Sequence, residues 1–141
     1  MNWEKITRAI AAAAGAVAGF LGGWSPLLTV LVAFMAMDYV SGLLLAASGK
    51  SPKTESGHID SSVGFVGLAK KGFILIIVLV STMLDRALAT DAMVFQTATA
   101  CYYIANEGIS ILENAGLMGL PVPRAVREAL ERLREKDEKK E

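Results

Sequence analysis

The strongest constraint on the fold is a set of long apolar stretches that contain few or no charges. The clearest runs from 27 to 47 and reads LLTVLVAFMAMDYVSGLLLAA, with Asp38 as its one charged residue. As a helix this stretch is about 30 Å long, which matches the thickness of the hydrocarbon core of a bilayer. A charge at that depth costs at least about 2.5–3.5 kcal/mol on insertion scales, so Asp38 must be neutralised, paired or turned toward water.

Three further stretches are poor in charge, and 53% of all residues are hydrophobic, which is high for a soluble domain. We therefore predict an all-α integral membrane protein with about four transmembrane helices. The predicted spans cover residues 9–24, 27–47, 72–89 and 92–112 of a transmembrane domain 1–121, and residues 122–141 form a C-terminal cytoplasmic amphipathic helix.

The positions of the Lys and Arg residues predict how these spans are oriented. With four crossings and a cytoplasmic N-terminus, 13 of the 14 Lys and Arg residues fall on the cytoplasmic side, and Arg86 is the exception. The cytoplasmic set includes Lys70 and Lys71, in the loop between the second and third spans. The positive-inside rule therefore favours both termini in the cytoplasm. The main alternative is that the first segment does not cross, which would place Lys5 and Arg8 outside.

The first segment carries a small residue at every fourth position: Ala11, Gly15, Gly19 and Gly23. In a helix this spacing places them on one face, where two helix backbones can approach closely. We predict that this face packs against another helix in a homo-oligomer. The alternative is that the segment is merely weakly hydrophobic, which would make it the span most prone to leave the bilayer.

Polar residues recur inside the other three spans and are the candidate site residues. They are Asp38, Ser41 and Gly42 in the second span, Asp85 and Arg86 in the third, and Asn106, Glu107, Ser110 and Asn114 in the fourth. Those of the second and fourth spans follow helical spacing, so each set forms a narrow stripe. Three interpretations stay open: hydrogen-bonded contacts between helices, the lining of a water-filled lumen in an oligomer, and a proton relay in a transporter.

The rest of the sequence argues against catalytic and metal chemistry. The chain has one cysteine, Cys101, and one histidine, His58, so it lacks the clustered ligands that a zinc site needs. The sequence contains no recognisable nucleophile–base pair or phosphate-binding glycine loop, and we predict neither enzyme activity nor a cofactor. The tail alternates Arg with Glu, which favours a solvated helix over one bound to anionic lipid and disfavours nucleic-acid binding.

Three motifs carry a resemblance to a known family: MDYVSGLLLA from Met37, GFVGLAKKGFILIIVLVSTMLDRAL from Gly64, and YYIANEGISILENAGLMGLPVP from Tyr102. In this order and spacing they resemble the phage holin family that includes the toxin secretion/phage lysis holins. The resemblance extends from about Val30 to Leu133 and covers most of the chain.

This resemblance implies a small protein of the bacterial inner membrane that accumulates harmlessly, oligomerises at a set time and permeabilises the membrane. An endolysin, or in some relatives a large toxin, then leaves the cytoplasm. The implied partners are other copies of the chain, the lipid bilayer and, functionally, the endolysin. Two alternatives stay open: a small ion or proton channel or transporter subunit without a lytic role, and a scaffold that recruits cytoplasmic partners through its tail.

Overall fold

The computed structural model describes residues 2–138, with side chains as far as Lys136, and all regular structure in that range is helical. Five helices follow one another within it: α1 Trp3–Phe20, α2 Pro26–Ala47, α3 Ser61–Ala87, α4 Val94–Leu117 and α5 Arg124–Glu138. The predicted all-α class is confirmed. The last three residues of the predicted tail, 139–141, lie outside the described part of the chain.

Local capping determines where α2 begins. Ser25 precedes the helix in an extended conformation, and its hydroxyl accepts a hydrogen bond from the Leu28 amide at 3.2 Å. Pro26 occupies the first helical position, where its missing amide hydrogen is not needed. The turn before α2 is therefore sharp, and α2 starts within one residue of the predicted span.

Helix α3 begins well before the predicted span 72–89. Asp60 caps it by accepting hydrogen bonds from the amides of Ser62 at 2.8 Å and Val63 at 3.2 Å. Hydrogen bonds from the Ser62 hydroxyl and from these two amides lower the pKa of Asp60. The helix therefore includes residues that the sequence analysis assigned to a polar loop, and Lys71 lies ten residues inside it.

Helices α2, α3 and α4 form a bundle with α4 at its centre. Helix α4 packs along α2, α3 and α5, whereas α2 and α3 touch each other at few positions. The core between these helices is apolar, and one residue from the turn after α1 joins it. Its buried members are Leu21, Leu28, Leu31, Met35, Val78, Ala100 and Ile104. Helix α4 is therefore the element that holds the bundle together.

The outer surface of the bundle is strongly apolar, above all on α3. Four residues of α3 are buried, while Phe73, Ile76 and Val80 are 65%, 53% and 52% exposed. Helices α2 and α3 are long and apolar enough to cross a membrane, judged by length and composition. Helices α1 and α4, which contain the other two predicted spans, do not meet that criterion, so four crossings stay a prediction.

Helix α1 buries none of its residues and is attached to the bundle at its C-terminal end. There Arg86 Nη2 donates a hydrogen bond to the Gly19 carbonyl at 2.8 Å. Just beyond the helix, Leu21 is buried, and its carbonyl accepts a hydrogen bond from Gln96 Nε2 at 2.8 Å. The end of α1 is thus tied to α3 and α4, while the rest of the helix stands apart.

The predicted stripe of small residues is shorter than expected. Because α1 ends at Phe20, Gly23 lies in the following turn, where its φ of 98° favours glycine. The prediction that Gly23 shares a helix face with the other three residues is therefore wrong. Ala11, Gly15 and Gly19 are exposed on α1, and their packing in an oligomer stays a prediction.

Helix α5 is the amphipathic helix expected in the tail, and it lies against α4. Leu130 approaches Gly108 so closely that a Cβ placed on Gly108 would lie 2.9 Å from both methyl carbons of Leu130. Leu133 packs against the buried core. In this structure α5 is therefore docked on the bundle, and it is not the free solvated helix that its alternating charges favoured.

Candidate functional site

Three charged side chains from three different helices meet inside the bundle. Lys71 Nζ of α3 lies 2.7 Å from Asp38 Oδ2 of α2 and 2.5 Å from Glu107 Oε2 of α4. The side chain of Lys71 is 12% exposed and each carboxylate is 10% exposed. We refer to these three residues as the charged cluster, and they join α2, α3 and α4 through one ammonium group.

Neutral polar groups surround the Asp38 carboxylate on its other side. The Asn114 side-chain amide donates a hydrogen bond to Ser41 Oγ at 2.8 Å and reaches Asp38 Oδ1 at 3.5 Å. Ser110 of α4 also lies close to the Asp38 side chain. Gly42 faces Asn114, since a Cβ on Gly42 would lie 4.0 Å from Asn114 Nδ2. The polar stripes of α2 and α4 therefore face each other directly.

The charged cluster lies near the middle of the bundle. Asp38 lies nine residues before the end of α2, Lys71 ten residues after the start of α3, and Glu107 ten residues before the end of α4. At about 1.5 Å per residue, all three are roughly 15 Å from the same end of the bundle. The three helices thus bring their charges to one level.

Mutual pairing makes charges at this depth tolerable. Each buried ion loses several kcal/mol of hydration, and attraction between opposite charges offsets that loss only when the geometry is good. The cluster contains two carboxylates and one ammonium group, so it carries a net charge of −1 when all three are ionised. The cluster therefore links the three helices through ion pairs, and in its fully ionised form its excess negative charge favours a cation nearby.

A cavity of about 410 Å³ leads to the charged cluster from one end of the bundle. It lies between α2, α3 and the loop that joins them, and all three cluster residues contribute to its lining. Tyr39 and Gly64 also line it, and the Tyr39 hydroxyl donates a hydrogen bond to the Gly64 carbonyl at 3.4 Å. Water and small ions can therefore approach the cluster from this side.

Lys71 is the member of the cluster that the sequence analysis missed. The sequence alone predicts that Lys71 lies in a loop on the cytoplasmic side, because it directly precedes the apolar run of the third span. A signal was present: Asp60 followed by Ser61 and Ser62 is typical of a helix N-cap, and apolar residues continue from Val63 onward. An earlier helix start would have placed Lys71 inside the helix.

Asp85 belongs to a second buried polar group, at the opposite end of the bundle. It is 1% exposed, and its carboxylate accepts hydrogen bonds from the amides of Phe95 at 3.0 Å and Gln96 at 2.8 Å. The Thr90 hydroxyl donates to the same carboxylate. Met93, which precedes α4, has a left-handed backbone and offers no capping side chain. Asp85 of α3 therefore caps the first turn of α4.

Comparison with known proteins now identifies the family. The sequence model of the bacteriophage holin family matches residues 15–135. This chain belongs to the bacteriophage holin family. The matched range contains α2, α3 and α4 completely and most of α5, so the charged cluster and the capping group of Asp85 lie within the part of the chain that the family shares.

Several individual relatives are similar along most of their length. An uncharacterized protein of Clostridium perfringens is 40% identical over 116 residues, covering 82% of this chain and 81% of the relative. An uncharacterized protein of Listeria innocua is 44% identical over 119 residues, covering 80% and 76%. A probable holin of Bacillus phage phi105 is 26% identical over 130 residues, covering 92% and 84%. No solved structure matches this chain.

For this holin-family protein, the structure divides the predicted site residues into two groups. Asp38, Ser41, Gly42, Glu107, Ser110 and Asn114 come together around Lys71. Asp85 and Arg86 lie at the other end of α3, where one caps α4 and the other holds α1. Asn106 is half-buried on α4, next to Glu107 in the sequence. Their functional roles stay predictions.

The donor groups of this holin-family protein offer little to a metal ion. Among residues 2–138, no group of three or more His, Cys, Asp or Glu side chains is placed to hold one. The holin family is not an enzyme family, and the family together with two strongly apolar helices indicates a membrane protein. What the site offers chemically is a buried, charged contact between three helices.

Proposed function

We propose that this protein is a holin that oligomerises in the bacterial inner membrane and permeabilises it, so that an endolysin or a large toxin leaves the cytoplasm. The observation that carries the proposal is the match to the holin family over residues 15–135. Similarity to a probable holin of Bacillus phage phi105 over 92% of this chain supports it. The partners in this proposal are further copies of the chain, the lipid bilayer and the endolysin.

We further propose four crossings, with both termini in the cytoplasm. Helices α2, α3 and α4 contain 22, 27 and 24 residues, which corresponds to about 33–40 Å each and is enough to cross a hydrocarbon core. The exposed apolar surface of α3 supports contact with lipid. Trp3 and Trp24 are both well exposed near the two ends of α1, as expected for interfacial anchors of a first span.

The charged cluster supplies a mechanism by which such a bundle could be harmless at first and open later. In a single chain the polar stripes of α2 and α4 face each other and are bridged by Lys71. In a ring of chains the same stripes would separate and face a water-filled lumen, where hydration replaces the lost pairing. The closed and open arrangements therefore exchange one set of polar contacts for another, which keeps their free energies close.

The tail helix fits this topology only if it leaves α4. Arg132, Glu135 and Lys136 are exposed on α5, and each would cost about 2.5–3.5 kcal/mol at the centre of a bilayer. Leu130 and Leu133 are partly buried, so their packing contributes less than the roughly 1.5–3 kcal/mol that full burial of a leucine gives relative to water. In lipid that contribution is largely lost, because acyl chains are as apolar as leucine. A cytoplasmic position for α5 is therefore favoured once α4 is embedded.

Lytic function can be tested by inducing the chain in bacteria with and without a co-expressed endolysin. We expect abrupt growth arrest in both cultures, and release of a cytoplasmic enzyme such as β-galactosidase only where the endolysin is present. An endolysin-only culture and an uninduced culture are the controls. Continued growth after induction, with the chain present in the membrane fraction, would contradict the proposal.

A second candidate function is a small ion or proton channel without a lytic role. The cavity of about 410 Å³ that reaches the charged cluster favours this alternative, because it gives access from outside to charged side chains within the bundle. In liposomes, a channel would conduct ions while retaining a trapped folded protein, whereas the proposed holin would release both. Retention of the folded protein during ion flux would favour the channel over the holin.

A further inference from the structure

The contact between α4 and α5 joins a helix that the proposed topology places in lipid to a highly charged helix that needs water. Helix α4 lies at the centre of the bundle, and the proposed topology places its residue Glu107 inside the membrane. Helix α5 touches α4 one residue further on, where the side chains of Leu130 and Phe34 both lie against Gly108. A helix with many charged side chains thus lies beside the middle of a proposed span. A hydrated α5 and an embedded α4 cannot occupy these positions together.

The shape of α4 at this point suits a reversible contact. Gly108 is buried and has no side chain, so it forms a notch that receives the two methyl groups of Leu130. Leu133 lies three residues after Leu130 and packs against the buried core, so it extends the same apolar contact. The contact is formed by side chains of α5 and not by a backbone connection. It can therefore separate without unfolding either helix.

The segment between α4 and α5 allows such a separation. Residues 118–123 read MGLPVP and form no helix, and Gly119 has a φ of 84°. Pro121 and Pro123 lack amide hydrogens, so the two helices cannot merge through this segment without distortion. The link therefore keeps α5 a separate helix whose position relative to α4 can change.

We propose that α5 is a removable cover of α4: it docks on the Gly108 face while α4 is outside the bilayer, and it is released when α4 becomes a membrane span. This inference rests on the proposed membrane topology. It adds that the chain has two arrangements, one with α5 on α4 and one with α5 in the cytoplasm, and that the contact between Leu130 and Gly108 opposes the insertion of α4.

Cross-linking between the two helices measures this docking directly. In a Cys101→Ser background, Gly108→Cys combined with Leu130→Cys places two thiols at the closest approach of α4 and α5. The chain is made by cell-free translation with or without inverted inner-membrane vesicles and is then oxidised with copper phenanthroline. We expect efficient cross-linking without membranes and a roughly tenfold lower yield in the carbonate-resistant membrane fraction, because docked α5 would bring several charges into lipid.

A matched pair shows whether the cross-link reports the docked geometry. Gly116→Cys combined with Leu130→Cys leaves Gly108 intact and moves the α4 thiol eight residues away, to an exposed position with nothing packed against it. We expect this pair to cross-link poorly with and without membranes. Equal yields of the cross-link between positions 108 and 130 in the two fractions would overturn the proposal. That result is independent of lytic activity, so it is distinguishable from a failure of the growth and release assay.

Trypsin supplies a second readout that needs no substitution and covers the case in which Gly108→Cys prevents folding. Helix α5 contains Arg127, Arg132 and Arg134, and inverted vesicles expose the cytoplasmic face to added protease. We expect rapid cleavage within α5 of the wild-type chain in vesicles, and several-fold slower cleavage of the chain made without membranes. Protection of α5 in vesicles would overturn the proposal.

Discussion

Replacing Lys71 by methionine is expected to lower the free energy of unfolding by about 3–5 kcal/mol, the usual cost of removing one partner from a buried ion pair. The substitution leaves Asp38 and Glu107 as two carboxylates that are each 10% exposed. Their oxygens now both contact one nitrogen, so without it two negative charges would face each other at short range. The unfolding midpoint in mixed micelles, measured by circular dichroism as the fraction of SDS increases, checks this expectation.

Two further variants separate loss of charge pairing from loss of packing. Lys70→Met alters the neighbouring lysine of α3, which is exposed, and should leave the midpoint unchanged. The triple variant Lys71→Met, Asp38→Asn, Glu107→Gln removes all three charges and should recover much of the stability, because it leaves no unpaired ion. A midpoint for Lys71→Met equal to that of the wild type would mean that the charged cluster does not hold the bundle together.

Replacing Asp85 by alanine should lower the free energy of unfolding by about 2–4 kcal/mol, because two backbone amides and one hydroxyl lose a buried charged acceptor together. The amides of Phe95 and Gln96 lie in the first turn of α4, and Met93 offers no replacement cap. We expect faster hydrogen exchange at these two amides, together with a lower midpoint in the same SDS titration. We expect the first turn of α4 to open before the rest of the protein unfolds.

Two comparison variants test the capping role of Asp85. Asp85→Asn keeps one acceptor oxygen and should cost less than alanine. Asp91→Ala removes an exposed carboxylate from the same link between α3 and α4 and should have little effect. If exchange at Phe95 and Gln96 were unchanged in Asp85→Ala, the carboxylate would not be the cap of α4, and its burial would need another explanation.

Much of the helical architecture could be predicted because its signals are local. The stretch 27–47 is apolar over the length of a span, and Ser25 followed by Pro26 marks its start, so α2 was located to within a residue. The polar stripes of α2 and α4 were also recognised, since the spacing of Asp38 and Ser41, or of Glu107, Ser110 and Asn114, places each set on one helix face. These inferences need no knowledge of which helices touch.

The partners of those stripes could not be predicted, because they depend on how the helices are arranged. Hydropathy treats a lysine at the edge of an apolar run as a boundary, so Lys71 was placed in a loop, while the structure pairs it with carboxylates 33 and 36 residues away in sequence. For a similar reason, hydropathy alone predicts that Asp85 is a charge inside a span. Its acceptor role depends on a sharp turn that brings the start of α4 back to it.

The chain composition and the order of its residues therefore predicted the all-α class, the long apolar helices and the faces on which polar groups lie. Helix formation and hydrophobicity are properties of neighbouring residues, so these features need no tertiary structure. The three-helix charged cluster, the cap of α4 and the docking of α5 on Gly108 became visible only in three dimensions. Each depends on side chains that are distant in sequence and meet only when α4 packs between its neighbours.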